Sequence, residues 1–471
     1  MRVLVAGGGL AGLASATVLA EAGHEVVVVE REDFLGGRAG AWTETLPDGT
    51  GFQMERGFHA FFRQYRCLRA LMRRVDPELT LLEPQEDYPV YGPDGQVQSF
   101  SDLPTTTPAN VATLAWRSPT IGLSDLARVK LRPTLAMLSY GEHTWDRWDG
   151  LSAKDYLDAL GFPPEARQML FEVFSHSFFN PEDDFSAAEL LMQFHFYFLG
   201  NPDGLIFDTM REPFSTGLFD PLARYLEERG VELRTRTALR ALHLGRDPIA
   251  ADLGGATEHF DAVVLGLSVP GLRALTRSCP PLGALLGDGR HALEVTHPFA
   301  VWRLWLDRPV RADRRPFVGT VGHGLLDNIS VYEKLESESA RWAAKHGGSV
   351  VELHGYAVPP ELAEPEIRAD LRAGLEAVYP ETRGATILHD RFLLRRDCPA
   401  FRPGSHTHRP GVATRDPRVK LAGDFVRMPF PCALMERATA SGFAAANQLI
   451  GAERQPLLHG PTRGPLAALR F

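Results

Sequence analysis

The sequence predicts an α/β protein in which a Rossmann-like dinucleotide-binding domain is interleaved with an α+β domain. Three observations predict it. A glycine-rich turn joins a short apolar strand to a helix at the start of the chain; a second strand ends in an acid; and a Gly-Asp strand followed by a helix appears some four hundred residues later. The 471 residues fit two or three domains at roughly 100 to 200 residues each. With 44% hydrophobic and 23% charged residues, the chain has the usage of a globular protein with a substantial core.

Val3-Leu4-Val5-Ala6 reads as a buried strand, followed by Gly7-Gly8-Gly9-Leu10-Ala11-Gly12 and a helix from Leu13 to Ala22 that Gly23 stops. Gly7 permits the tight turn, Gly9 lets backbone approach a pyrophosphate, and Gly12 lets helix and strand pack closely. The pyrophosphate then rests on the helix N-terminus, where free N–H groups and the dipole favour an anion. The next strand, Val26-Val27-Val28-Val29, ends in Glu30, placed to accept hydrogen bonds from a ribose diol and to repel a 2′-phosphate, which disfavours NADP. Taken alone, the glycine pattern also describes a simple strand-to-helix connection; both strands, the helix and the acid in register point to dinucleotide binding. Residues 31–38 read Arg-Glu-Asp-Phe-Leu-Gly-Gly-Arg. Arg31, Gly37 and Arg38 are candidates for the same diphosphate, although the tripeptide by itself also describes a surface turn with a solvated arginine.

Fifty Lys plus Arg against fifty-nine Asp plus Glu give a net charge of −9, so no basic field draws the chain to nucleic acid. Cys67, Cys279, Cys398 and Cys432 are far apart with no CxxC pair, which suggests neither a disulfide framework nor a zinc cassette and fits a reducing, cytoplasmic compartment. The N-terminus has no apolar h-region and no export signal is expected. No run of about eighteen apolar residues occurs, so any membrane contact is expected to be peripheral.

At the far end, Val419-Lys420-Leu421-Ala422-Gly423-Asp424 is a strand ending in Gly-Asp, and a helix runs from Met435 to about Ile450. GxGxxG, the acid and Gly-Gly-Arg at one end, with this strand and helix at the other, resemble the FAD-containing amine oxidase and phytoene desaturase superfamily. The resemblance implies an FAD-binding domain of the glutathione-reductase/amine-oxidase type. In it Gly423 and Asp424 meet the ribityl or diphosphate oxygens, and the helix beginning near Met435 points its N-terminus at the flavin N1–O2 edge. It also implies that the strand begun by Gly230-Val231-Glu232-Leu233, expected to end near Thr237-Ala238-Leu239, passes the adenine at Ala238. The strand Phe260 to Gly266 then returns to the Rossmann sheet. The expected partition is a discontinuous FAD domain over 1–79, 215–284 and 385–459, a substrate domain over 80–214 and 285–384, and a tail over 460–471. No repeat or low-complexity linker separates them.

A narrower resemblance rests on Gly57-Phe58-His59-Ala60-Phe61-Phe62-Arg63-Gln64-Tyr65, which looks like the Gly-x-His-x-x-Phe-x-x-Tyr segment of plant-type and cyanobacterial phytoene and ζ-carotene desaturases. With Phe171-Glu172-Val173-Phe174, Ser177-Phe178-Phe179 and Ser186-Ala187-Ala188-Glu189-Leu190-Leu191, it is similar to bacterial carotenoid ring aromatases of the isorenieratene synthase type, β-carotene desaturase/methyltransferases. Phe171, Phe174, Phe178, Phe179, Phe185, Phe194, Phe196, Tyr197 and Phe198 crowd one stretch. They read either as ordinary core or as the lining of a tunnel for a greasy substrate.

The implied reaction converts a trimethylcyclohexene end ring to a trimethylbenzene by two hydride abstractions, with one methyl shifting intramolecularly from the quaternary carbon and protons lost to a base. No methyl-donor site is needed. By the same resemblance Arg56, Gly57 and Phe58 approach the flavin, and His59 is the candidate catalytic residue as acid/base or cation-steering group. The alternatives for His59 and Arg56 are a structural hydrogen bond to a backbone carbonyl and a surface ion pair. His176, His195, His406 and His408 have no carboxylate or cysteine companion at ligand spacing, so no metal is expected. Two other functions fit the same motifs: a flavin oxidase or dehydrogenase of another hydrophobic metabolite, polyketide or amine, and a non-catalytic isoprenoid carrier. No motif designates the terminal electron acceptor.

Overall fold

The computed structural model describes residues 1–85, 87, 89–104, 106, 109–117, 130–167, 169, 176, 178–201 and 206–471. Phe171 to Phe174 and Ser177, part of the expected aromatic stretch, lie outside the described residues.

The first motif builds a five-stranded, all-parallel sheet from β1 (Arg2–Ala6), β2 (Glu25–Val29), β3 (Glu232–Arg234), β4 (Ala262–Leu265) and β5 (Val419–Leu421), in the order β3-β2-β1-β4-β5. The valine-rich runs are apolar on both faces because the central strands are covered on both. Helix α1 (Leu10–Glu21) follows β1, and its residues from Leu10 to Ala20 are buried, since α1 packs against both the sheet and helix α2 (Leu434–Ile450).

Two boundaries differ from the sequence reading. Helix α1 begins at Leu10, three residues early, with Gly9 as its N-cap. Strand β3 stops at Arg234 instead of near Leu239, because Arg236 adopts φ +52° and the Thr237 N–H turns to the Glu30 carbonyl at 2.8 Å. The freed loop carries Ala238 to the rim of the main cavity.

A seven-stranded sheet forms the other half of the site. Its order is Ile387–Arg395, Phe299–Leu306, Ser349–Gly355, Asn328–Val331, Phe317–Thr320, Val90–Tyr91 and Val97–Gln98. Alternation along buried strands divides its two faces. Trp302, Leu304, Ile329, Val351 and Leu353 point to one side and pack with Ile367, Leu371 and Leu375 of the helix Glu364–Val378. Arg303, Ser330, Glu352, Asn328 and His354 occupy the other, with Arg303 and Ser330 both opposite Glu352, and Asn328 opposite His354. Among the described residues no helix is long and apolar enough to cross a membrane.

Candidate active site

One cavity of about 740 Å³ runs from the turn after β1 to the polar face of the seven-stranded sheet. At the first end it is made of backbone. Gly7 sits at φ +107°, where a Cβ would lie 2.4 Å from the Gly266 carbonyl oxygen, and a Cβ on Gly12 would lie 1.9 Å from the Gly7 oxygen. Only glycine allows this crossing of helix and strand. Helix α1 has neither a side-chain N-cap nor an acid in its first turn, and Gly7, Gly9 and Gly37 line the cavity beside it. Helix α2 also starts uncapped, with Ala433, Leu434 and Met435 on the cavity wall. Its first-turn acid, Glu436, is drawn away to the Cys67 and Leu68 N–H groups at 2.8 and 2.9 Å. Two free helix N-termini therefore open on one space, each a ready site for anionic or hydrogen-bond-accepting groups.

The charged candidates are grouped around this end. Glu30 lines the cavity while accepting from the N–H groups of Gly8 (2.7 Å) and Glu32 (2.9 Å), leaving a lone pair on each oxygen. Arg31 turns outward to Glu32 at 2.7 Å, with 73% of its side chain exposed. Arg38 and Asp424 form a 2.5 Å ion pair across the two motifs; although burial works against the guanidinium, the Asp424 carboxylate raises its affinity for the proton. Gly423 donates its N–H to Ser441 of α2 at 2.8 Å, tying the turn to the helix. Arg56 pairs with Asp397 in the cavity wall rather than at the surface. Gly12 and Gly57 are not on the lining; both act by letting other groups pack. This set of backbone donors, an acid and paired cations fits a flavin dinucleotide.

The opposite end is made of side chains. The three-residue spacing of the Gly-x-His-x-x-Phe-x-x-Tyr segment brings His59, Phe62 and Tyr65 to the lining. Phe58 stacks on Phe317 at 4.5 Å and meets Phe207 edge-on at 5.7 Å. The crowded aromatic stretch splits: Phe178, Phe179, Tyr197 and Phe198 line the cavity, whereas Phe185, Phe194 and Phe196 are buried in the core away from it.

Two histidines flank Gly57. At Gly57, φ is +102° and a Cβ would lie 2.7 Å from the His354 ring. His59 is within 2.7 Å of the Gly57 carbonyl through Nδ1, so this nitrogen carries the hydrogen and Nε2 keeps its lone pair. Burial pushes His59 down to about 4, and nearby His354 and Arg38 oppose its charge. A smaller cavity of about 20 Å³ behind His59, bordered by Glu55 and Glu336, has room for one water.

His354 is differently placed. Its Nε2 is 2.8 Å from Glu352 and its Nδ1 is 2.8 Å from the Tyr356 hydroxyl. Burial works against the Glu352 charge, yet Arg303 at 2.8 Å and the His354 hydrogen bond hold it at about 2. Glu352 is therefore a carboxylate to which Nε2 donates, and in the neutral imidazole Nδ1 is then the acceptor of the tyrosine hydrogen. Asn328 donates to the Tyr356 oxygen at 2.9 Å. His354, Tyr356, Asn328 and Asp327 all line the cavity. The sequence reading missed this group. Its signal is an Arg in the all-buried strand Phe299–Leu306 and a Glu-x-His in the all-buried strand Ser349–Gly355, because ionisable groups are almost never fully buried without partners. His176, read from spacing as lacking a carboxylate, meets Asp327 at 2.8 Å through the fold.

Parallel sheet, glycine turn and paired helix ends define a flavoprotein oxidoreductase fold. The chain belongs to the flavin containing amine oxidoreductase family, whose model matches residues 10–450, and its cofactor is FAD. It is 47% identical to the carotenoid phi-ring synthase of Streptomyces griseus over 477 aligned residues, covering 99% of this chain and 92% of that protein. It is 29% identical to the carotenoid phi-ring synthase of Chlorobaculum tepidum, over 99% and 91% of the two chains. A solved putrescine oxidase variant has the same fold, with a TM-score of 0.68 at 18% identity over 96% of this chain and 99% of the other.

Proposed function

We propose that the protein aromatises a carotenoid β-ring by two flavin-dependent dehydrogenations with intramolecular methyl migration. One observation carries the reading: a single cavity joins the nucleotide cradle to an aromatic-walled chamber. The 47% identity to a carotenoid phi-ring synthase supports the same substrate class.

In this reading Gly7, Gly9, Glu30, Gly37, Arg38, Ala238, Gly423, Asp424 and Met435 hold FAD, with Arg31 at the outer rim. Bound FAD supplies a two-electron hydride acceptor. Arg56 and its partner Asp397 fix the wall beside Phe58, while Gly57 lets His354 and the backbone pack together. The aromatic wall excludes water, so a ring cation is not captured by solvent before its methyl shifts. His59, neutral and with a fixed Nε2 lone pair, directs a partial negative charge at that cation; its low proton affinity suits steering better than proton storage. The partition expected from sequence serves this arrangement with one adjustment. Residues 387–395 join the substrate side, because that strand pairs with Phe299–Leu306. We take the protein to meet its substrate at a membrane surface, a reading supported by the exposed apolar Trp116 and Leu131, 83% and 71% accessible.

The test is anaerobic mixing of the FAD-loaded protein with β-carotene and with a monocyclic carotenoid in detergent, followed by addition of a quinone that reoxidises the flavin. Flavin bleaching is expected in the first stage, and trimethylphenyl carotenoid once the quinone permits the second dehydrogenation. Bleaching by an amine and by no carotenoid reassigns the protein to amine oxidation, and a flavin that no candidate reduces favours the carrier.

A further inference from the structure

We propose that the protons lost during ring aromatisation are taken by Tyr356, which relays its own hydroxyl proton to His354 held by the buried Glu352–Arg303 pair. The inference rests on the aromatase reading and deepens it.

The chemistry needs a base that accepts a proton from a ring cation inside an apolar chamber. A base that becomes an isolated cation there faces the full cost of burying charge. His59 is such a base: among the described residues no carboxylate is hydrogen-bonded to it, and its Nδ1 is spent on the Gly57 carbonyl. The Tyr356 route creates no isolated charge. Tyr356 lines the cavity, and its oxygen accepts a hydrogen bond from Asn328 at 2.9 Å, so a lone pair is left for an incoming proton. Its hydrogen already points along a 2.8 Å bond to His354 Nδ1.

In the step, the ring C–H bond breaks and its electron pair enters the ring π system. The proton bonds to the Tyr356 oxygen while the hydroxyl hydrogen moves to His354 Nδ1. Positive charge thus passes from substrate to an imidazolium that is 2.8 Å from the Glu352 carboxylate. The proton returns through Tyr356 to solvent after each dehydrogenation, so the relay is cleared before it takes the ring's second proton. Arg303 keeps Glu352 ionised and fixed: its Nε donates at 2.8 Å, and its guanidinium rests 3.9 Å over the Tyr332 ring. Tyr356 is the catalytic residue of this relay; His354, Glu352 and Arg303 are positioning residues. The unpartnered amide oxygen of Asn328, which is 3% exposed and belongs to a cavity-lining residue, adds a second negative dipole beside the reacting ring.

The experiment compares wild type, Tyr356→Phe and His354→Gln as FAD-loaded proteins without oxygen but with an added quinone that reoxidises the flavin between the two dehydrogenations, scoring arene formed per flavin reduction, of which each ring needs two. Tyr356→Phe is expected to keep its FAD and to lower that ratio about 10²-fold, the usual size of a general-base contribution. Water-captured, non-aromatic ring products appear in place of the arene. Arene formation in the wild type slows in D₂O, and the slowing disappears in Tyr356→Phe. A readout independent of turnover is the ¹⁵N spectrum of labelled histidine. The signal lost in His354→Gln shows an Nε2–H tautomer, and its Nδ1 resonance moves in Tyr356→Phe. Equal arene per reduced flavin in wild type and Tyr356→Phe overturns the relay alone, as does an Nδ1–H tautomer at His354. If Tyr356→Phe is not recovered with FAD, the ratio in His354→Gln decides in the same way. A wild type that neither bleaches nor forms arene with any carotenoid overturns the function reading, and the relay with it.

Discussion

The two ends of the cavity solve different problems with different parts of the chain. The nucleotide end is built from backbone: left-handed Gly7, the contact of Gly12 with the Gly7 carbonyl, and two helices whose first N–H groups have no side-chain cap. The ring end is built from side chains on strands, where Arg303, Glu352, His354 and Asn328 share one sheet face with an aromatic wall across from them. Backbone can cradle a diphosphate because every N–H is the same donor; it cannot relay a proton or exclude water from a cation. The first end therefore specifies a cofactor, and the second specifies what is done with it.

The largest effect expected from breaking this contrast falls on the backbone end. In Gly12→Val the new Cβ meets a carbonyl oxygen at 1.9 Å in the rigid crossing of α1 and β1, and separating the two costs more than about 4 kcal/mol. The protein is expected to lose its flavin absorbance together with its cooperative melting transition. A yellow, normally melting variant would mean that the crossing yields more readily than its packing indicates.

This difference in construction also explains what could be read in advance. Close backbone approach demands glycine at a fixed spacing along one segment, so Gly7, Gly9, Gly12 and Glu30 announce themselves, and Asp424 acquires meaning once they are known. Arg303 and Glu352 are adjacent only because two strands pair, 49 residues apart in the chain. Their sequence trace is a charge in an otherwise apolar strand, which reads equally as an edge position. The boundary of β3 differs for a related reason: the alternation of Val231, Leu233, Thr235 and Thr237 continues past Arg234 in the sequence, and the left-handed Arg236 with the tertiary bond from Thr237 to Glu30 ends the ladder.

The next effect probes the side-chain end. Arg303→Met leaves Glu352, itself fully buried, without its cation, and breaking a buried ion pair in this way costs about 3–5 kcal/mol. The expected result is a markedly lower melting temperature. Adding Glu352→Gln recovers part of the loss by removing the stranded charge. No recovery would show that the two residues are not energetically coupled.

A pH series separates the ends further, with an effect on the order of 2 kcal/mol. Burial raises the Glu55 carboxyl to about 7, against the pull of Arg303. Its folded form thus binds a proton more tightly than its unfolded form. The sign follows: the contribution is fully present below the ordinary glutamate range and is lost as pH rises through about 7. Burial likewise raises Glu436 to about 7, at the foot of α2. Stability should fall from about pH 4.5 to about pH 7 and level off above it, and Glu55→Gln and Glu436→Gln should each flatten part of that slope in thermal melts. A slope unchanged by both substitutions would place the titrating group elsewhere.

The smallest expected effect is at His59, where the two ends meet. With burial holding its ring at about 4, the imidazole is neutral across the working range, so His59→Ala removes a dipole and a hydrogen bond to Gly57 but no charge. Loss of one oriented dipole is expected to slow arene formation about tenfold, equivalent to about 1.4 kcal/mol, while FAD remains bound because the cradle is made elsewhere. The pH profile of the reaction should keep its shape, since in the relay the proton passes to His354 and not to His59. If His59→Ala abolished turnover or displaced the profile, the proton path would run through His59, and the carboxylate-backed histidine across Gly57 would be reduced to a support for the wall.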